Sequence, residues 1–299
     1  MKVAVTGANG LLGGAAVLLL AGRHEVIGLG RGPCRLPAGS YSWADVDLGD
    51  GRSVEGALRD FRAEAVLHAG AMTDVDFCER EPETAWRVNV GGTAEVARTC
   101  RALQARLVAV STDYVFDGAE GPYGEDDVPN PRGVYARSKR CGEDAAMLLA
   151  PGCAVARTAV VYSGRAGAKS TFATQIVEKL GRGEPVKAFR DQIVSPTLAE
   201  NGAAMVLELL LETDYQGVLH TAGASALDRV EFARRVAARF GLSGEIVPVR
   251  TADVKLLAPR PLRAGLRVDR AAALLREKPI AIGAALERFY QQWMAREAE

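Results

Sequence analysis

A tyrosine and a lysine stand four positions apart in Tyr135-Ala136-Arg137-Ser138-Lys139, inside a stretch whose composition reads as helix. On a helix, side chains at i and i+4 project from one face, so the phenol and the ammonium can lie side by side. A free phenol titrates near ~10 and is a poor acid–base group at neutral pH. A neighbouring cation favours the phenolate and brings it toward a useful range. Taken alone the pair is weak, since a half-buried tyrosine beside a solvated lysine would look the same. Its setting strengthens it. Upstream, Leu107-Val108-Ala109-Val110 reads as a buried parallel strand that runs into the polar, hydroxyl-rich Ser111-Thr112-Asp113-Tyr114-Val115-Phe116-Asp117-Gly118. In an open α/β sheet, ligands sit at the C-terminal ends of the strands.

The elements that must position this pair follow from the chain's opening. Lys2 to Thr6 is a short strand leading into Gly7-Ala8-Asn9-Gly10-Leu11-Leu12-Gly13, with an apolar helix from about Gly14 to Ala21. Glycines between a strand and a helix allow a pyrophosphate to approach the free N–H groups and positive dipole of the helix N-terminus. Glu25 to Leu29 is the second strand. Where an acidic residue would hold the ribose 2′-hydroxyl of NAD, the chain has Gly30-Arg31, with Arg35 close behind. An arginine there suits a 2′-phosphate, so NADPH is favoured, with NADH as the alternative. A third strand ends at Asp45-Val46-Asp47-Leu48, Ser53 to Phe61 is a helix, and Ala65 to His68 is a fourth strand. His68-Ala69-Gly70-Ala71 supplies small residues where a dinucleotide passes close to the backbone, His68 itself reading as structural. Glu83 to Leu103 reads as one long helix before the strand at Leu107, and Cys153 to Val161 reads as a further buried strand.

This alternation predicts an α/β fold with a Rossmann-type doubly wound parallel sheet and a smaller C-terminal α/β lobe. Residues 1–162, joined by about 190–222, form the NAD(P)-binding domain; about 163–189 and 223–299 form the substrate lobe. Pro259-Arg260-Pro261-Leu262-Arg263 is a stiff, basic segment suited to gripping a phosphorylated substrate.

The 299 residues include 37 basic and 37 acidic ones, with no long run of either sign, which argues against nucleic acid or an anionic membrane as partner. The apolar run Ala15 to Ala21 is too short to span a bilayer, and Lys2-Val3-Ala4-Val5-Thr6 does not read as a signal peptide, so a cytoplasmic protein is expected. Five scattered cysteines without a C-x-x-C pair read as reduced thiols, and His24, His68 and His220 show no metal-ligand spacing.

Together these features resemble the extended branch of the short-chain dehydrogenase/reductases, most of all the dTDP-4-dehydrorhamnose reductases. The resemblance rests on Gly7-x-x-Gly10-x-x-Gly13, the block Ser111 to Gly118, Tyr135-x-x-x-Lys139 with Gly142-Glu143, Arg157-Thr158, and Asp191-Gln192 with Ser195-Pro196-Thr197. It implies reduction of the C4 ketone of a nucleotide-linked 6-deoxy-4-ketohexose. Tyr135 would give the proton, Thr112 would hydrogen-bond the same oxygen, and Lys139 would lower the Tyr135 pKa and bind the nicotinamide ribose. Asn89 would steady the active-site helix. By the same resemblance Gly7, Asn9, Gly10, Leu11, Leu12 and Gly13 would meet the cofactor. So would Arg31, Asp47, Leu48, His68, Ala69 and Gly70, besides Tyr135 and Lys139. Thr73, Val75, Asp113, Tyr114, Gln192 and Arg260 would meet the nucleotide sugar.

Where the rhamnose enzymes usually have a tryptophan after Arg-Thr-Ser, this chain has Ala159-Val160. Ala15 stands where some members place a magnesium-binding carboxylate; Glu200 alone makes a poor site, so no metal and no metal-bridged dimer are expected, while a homodimer of another kind stays open. Two other readings share the scaffold: a related ketoreductase or epimerase/dehydratase, and a non-catalytic NADP-binding subunit resembling methionine adenosyltransferase β.

Overall fold

A computed structural model describes residues 1–297. The first half alternates strand and helix: β1 (Lys2–Thr6), α1 (Leu11–Leu20), β2 (Glu25–Gly30), β3 (Ser42–Asp45), α2 (Gly51–Phe61) and β4 (Ala65–His68). Then come α3 (Val75–Arg80), α4 (Pro82–Trp86), a π-helical segment (Arg87–Gly92), α5 (Thr93–Leu103), β5 (Arg106–Thr112), α6 (Gly133–Leu149) and β6 (Ala154–Thr158). After β7 (Val161–Tyr162) the chain leaves the sheet through α7 (Phe172–Gly181), β8 (Val186–Phe189), β9 (Ile193–Val194) and β10 (Thr197–Leu198). It returns with α8 (Ala199–Leu211) and β11 (Gly217–His220), and ends with β12 (Leu227–Asp228), α9 (Arg229–Arg239), β13 (Ile246–Val249), α10 (Asp269–Leu274) and α11 (Ile282–Glu297).

Seven strands form one sheet in the order β11-β6-β5-β4-β1-β2-β3, every pair parallel. The fold is therefore a Rossmann-type α/β sheet, as the alternation predicts. The order reverses at β1, between β2 and β4, and the crevice at the carboxyl ends of these strands is where such sheets take ligands. Parallel strands covered on both faces read as unbroken apolar runs because neither side meets water. Val3, Ala4 and Val5, like Ala65, Val66 and Leu67, are fully buried. On one face α1 and α8 pack together through Leu12, Ala16, Val206 and Leu209; on the other, α2 and α5 close over the sheet through Val54, Leu58, Val96 and Ala97.

A separate apolar core gathers α7, α9 and α11 around Tyr162, whose ring meets Phe232 and Phe289 edge-on at 5.5 and 5.4 Å. β8 and β13 pair in parallel beside it. Between Pro261 and Leu275 the chain leaves this core before α11 returns to it. Leu266 and Val268 pack with Phe116 and Ala159, and α10 packs its Ala271 into the core beneath the main sheet.

Three boundaries differ from the sequence expectation. The helix expected from Glu83 to Leu103 is interrupted by the π-helical segment, within which the Asn89 carbonyl accepts the Thr93 hydroxyl at 2.7 Å. Such widened turns occur mostly at functional sites. The third strand stops at Asp45, whose carboxylate accepts the Gly32 N–H, and Val46 to Leu48 are already loop. The strand expected to run to Val161 breaks at Val160, a β-branched residue at φ +41°, and Val161–Tyr162 turns to pair with Thr197–Leu198. A strained backbone of that kind persists only where its surroundings over-determine it.

Candidate active site

The glycine turn is shaped by contacts that leave no room for side chains. Gly7 has φ +66°, and a Cβ on it would lie 2.6 Å from the Gly70 backbone; one on Gly13 would lie 2.4 Å from the Gly7 carbonyl oxygen. α1 starts from Gly10 with no side-chain cap and no acidic residue in its first turn, so its first N–H groups stay available to an anion. Leu11 and Leu12 open that helix. The cradle thus fits a dinucleotide pyrophosphate. Asn9 works sideways, donating to the Arg31 and Pro33 carbonyls at 3.3 and 3.0 Å and accepting the Arg35 N–H at 2.9 Å, which ties the turn to the loop beyond β2. Gly30 faces the Trp43 ring, 2.8 Å from where its Cβ would stand, so an acidic side chain would not fit there; Arg31 lies exposed just after it.

His68 closes the other side of the cradle. Its two ring nitrogens lie 2.8 Å from the Thr6 hydroxyl and 2.9 Å from the Thr93 hydroxyl. Thr93 spends its hydrogen on the Asn89 carbonyl and Thr6 accepts the Gly70 N–H, so the pattern closes with the proton on Nε2. Burial, and secondarily the Lys139 charge, hold this imidazole down at about 3. It stays neutral and structural, with Ala69 and Gly70 following it as the cradle wall. Asp47 caps the Gly49 N–H, and Leu48 packs over Gly70 and Gly92.

The reacting groups gather at the end of β5. Tyr135, on the first turn of α6, is 8% exposed, and its ring meets Tyr114 edge-on at 5.6 Å. Val75 packs in the same small cluster, which places it beside both rings, whereas Thr73 is exposed in the loop leading to α3. The Thr112 hydroxyl faces the Tyr135 phenol, accepts the Tyr114 N–H at 3.2 Å, and lies 3.0 Å from Asp113 Oδ1. α6 is fastened from two directions. Asn89 exchanges two hydrogen bonds with the Met72 backbone and donates a third, at 3.0 Å, to Ser138 beside Lys139. Further along, Glu143 takes a bidentate grip from Arg157 on β6 at 2.9 and 2.7 Å, both side chains buried. An ion pair of this kind adds little net stability, yet removing one partner strands a buried charge.

Burial drives the Tyr135 phenol above its ordinary value; Thr112 pulls it back down, while Asp113, Tyr114 and Cys78 push it further up. The Lys139 ammonium donates to the Val110 carbonyl at 2.8 Å, and burial lowers it to about 8 against the opposing charge of Glu143.

Beyond Tyr114 lies a cavity of about 570 Å³ between the sheet and the second core. Tyr114, Gln192 and Arg260 line it, as do Arg229, Lys179 and Lys187, with Phe172 and Phe189 as aromatic walls and no carboxylate among the lining residues. Arg260 is fixed by Asp76 at 2.9 Å, and Asp76 also accepts the Ala258 N–H, joining the basic tail segment to α3. Those bonds and the Arg260 charge outweigh burial and hold the Asp76 carboxyl below its usual range. Gln192 is 4% exposed, accepting from Arg229 Nε at 2.8 Å and donating to the Thr251 hydroxyl at 3.0 Å. Arg229, Lys179 and Lys187 escaped the sequence reading. They sit on α9, α7 and β8, with no common spacing to join them.

The family model described as the RmlD substrate binding domain matches residues 1–294. The chain belongs to that family. A dTDP-4-dehydrorhamnose reductase of Mycobacterium tuberculosis is 36% identical over 265 residues, covering 87% of this chain and 82% of that one. Methionine adenosyltransferase 2 subunit beta of Rattus norvegicus is 29% identical over 272 residues, covering 89% and 80%. Among solved structures, dTDP-4-dehydrorhamnose reductase from Bacillus anthracis in complex with NADP has a TM-score of 0.86 at 26% identity, over 97% of this chain and 99% of that one. In this RmlD-family chain, the Thr112–Tyr135 pair stands between the glycine cradle and the cationic cavity. Among the described residues no cluster of acidic, histidine or cysteine side chains could hold a metal ion, and no helix is long and apolar enough to cross a membrane.

Proposed function

We propose that this protein is an oxidoreductase that uses NADPH to reduce the C4 ketone of a nucleotide-linked 6-deoxy-4-ketohexose. The observation that carries the reading is the Tyr135 phenol, paired with Thr112 and packed on Tyr114, which lines a cavity with four cationic side chains. A ketone becoming an alcohol needs one proton, and the Tyr135 phenol carries one in reach of the Thr112 hydroxyl. Tyr135 donates it to the developing alkoxide while the Thr112 hydroxyl bonds the same oxygen. General acid help of this kind is worth roughly two to four orders of magnitude. The nicotinamide, when bound, supplies the hydride. Gly7, Gly10 and Gly13 would receive its pyrophosphate, Arg31 its 2′-phosphate, and Lys139 its ribose. Arg229 and Arg260 suit the diphosphate of the sugar nucleotide, since guanidinium pairs with phosphate oxygens bidentately.

A second reading is favoured by the similarity to methionine adenosyltransferase 2 subunit beta: a subunit that binds NADP and works by holding a partner protein. NADPH oxidation, followed by near-ultraviolet absorbance with a panel of nucleotide 4-keto sugars, separates the two. Turnover with any of them is the expected result. Tight NADPH binding with no turnover across the panel would transfer the protein to the partner-holding class.

A further inference from the structure

Resting on the reductase reading above, we propose that Asp113 works as a neutral carboxylic acid. It donates its proton to the Thr112 oxygen and so aims the Thr112 hydroxyl hydrogen at the substrate oxygen. Asp113 is a positioning residue in this arrangement, acting through Thr112, and it keeps its proton throughout the reaction.

The Thr112 oxygen has one hydrogen and two lone pairs. One lone pair already accepts the Tyr114 N–H at 3.2 Å. Its remaining neighbours are Asp113 Oδ1 at 3.0 Å and the Tyr135 phenol. If Asp113 is ionised it can only accept, so it takes the Thr112 hydrogen. The last lone pair of Thr112 then faces the phenol and draws the proton that Tyr135 should give to the substrate. If Asp113 is protonated, the 3.0 Å contact runs the other way. Both lone pairs of Thr112 are filled, and its hydrogen can point only toward the phenol and the substrate oxygen beside it. Two donors, Thr112 and Tyr135, then converge on one developing negative charge, which is the arrangement that lowers such a barrier.

The structure favours the protonated form on independent grounds. Asp113 is 2% exposed, and its Oδ2 is buried with no hydrogen-bond partner. An orphaned carbonyl oxygen of a neutral acid costs far less than an orphaned carboxylate oxygen. The charged groups facing it are the Arg229 guanidinium, from the start of α9, and, should they ionise, the phenols Tyr114 and Tyr135. Arg229 acts on it through space: its Nε is bonded to Gln192, and no ion pair joins it to Asp113 among the described residues. Burial outweighs the Thr112 bond, the Arg229 charge and the backbone N–H groups of Asp113 and Tyr114, and pushes the carboxyl up to about 7.

The test reads two quantities in the full-length protein and in Asp113→Asn, whose amide keeps an N–H donor and cannot ionise. The first is kcat against pH with a ketosugar identified from the panel. The wild type should fall about tenfold per pH unit above pH 7, as expected for loss of one required proton. Asp113→Asn should be slower throughout yet flat through pH 7. The second is thermal stability against pH. Between the ordinary value of 3.8 and about 7, the unfolded wild type has lost this proton while the folded protein retains it. Wild-type stability should therefore drop relative to the variant as pH rises through that window, by up to about tenfold in the folding constant per unit. A wild-type kcat profile flat through pH 7, a variant with the wild-type limb, or parallel stability curves would each overturn the proposal. Parallel stability curves beside normal turnover remove the relay and leave the reductase standing. A wild type that turns over nothing removes the reductase reading and, with it, any task for the relay.

Discussion

On the sheet side of the cleft, almost every functional group is fixed by backbone. Gly7 meets Gly70 at contact distance, Thr112 holds the Tyr114 N–H, Asn89 grips Met72, and Lys139 reaches the Val110 carbonyl. On the opposite side, the cations come from scattered places. Lys179 belongs to α7, Lys187 to β8, Arg229 to α9 and Arg260 to the basic tail segment, and they meet only because α7, α9 and α11 share a core. The first region is rigid by construction. The second can change residue by residue without disturbing the fold, which suits a wall that recognises substrate rather than performing chemistry.

That contrast decides which residues bear which cost. On the sheet side the largest effect belongs to Tyr135→Phe. Removing the hydroxyl deletes the proton source and should lower kcat by about 10²–10⁴-fold, while NADPH affinity, measured by fluorescence titration, stays within a few-fold of wild type. Full activity in this variant would mean that another group supplies the proton, and the division between the two walls would fall with it.

Arg229→Ala probes the far wall. The guanidinium sits over Phe172 at 5.6 Å and is bonded to Gln192, so its loss removes both a charge and a fixed arm. The expected outcome is a rise in KM for the nucleotide sugar of about tenfold, matching the roughly 1.5 kcal/mol or more of a hydrogen bond to a charged group, with NADPH affinity unaffected. A change confined to NADPH binding would place Arg229 on the wrong side of the cleft.

The same contrast explains what could be read in advance. A glycine turn, a Tyr-x-x-x-Lys helix and a hydroxyl-rich strand end are local devices with fixed spacings, and each leaves its signature in consecutive residues. The interruption at Arg87–Gly92 could not be read, because the Asn89 and Thr93 bonds that accompany it depend on Met72, His68 and Ser138, all distant in sequence. Nor could the direction of Lys139. Helical spacing puts it on the Tyr135 face, but its bond to the Val110 carbonyl depends on where β5 ends. The break at Val160 was hidden for a similar reason: nothing in Ala159-Val160-Val161 announces a positive φ, which comes from the pairing of Val161–Tyr162 with Thr197–Leu198.

The smallest expected effect is the one most specific to this chain. Gly30 leaves room for the Trp43 ring, which excludes a carboxylate from the end of β2 and leaves the exposed Arg31 as the first side chain beyond it. An exposed arginine meeting a phosphate works in partly screened solvent, so its contribution is bounded near the lower end for charge-assisted bonds. Arg31→Ala should therefore weaken NADPH by about three- to tenfold, with NADH binding unchanged and the NADPH effect shrinking as salt rises. Equal losses for both cofactors would show that Arg31 supports the loop held by Asn9 rather than the 2′-phosphate. In that event cofactor choice would rest on the geometry of the glycine turn itself, and the sheet side would need no charged side chain to select its dinucleotide.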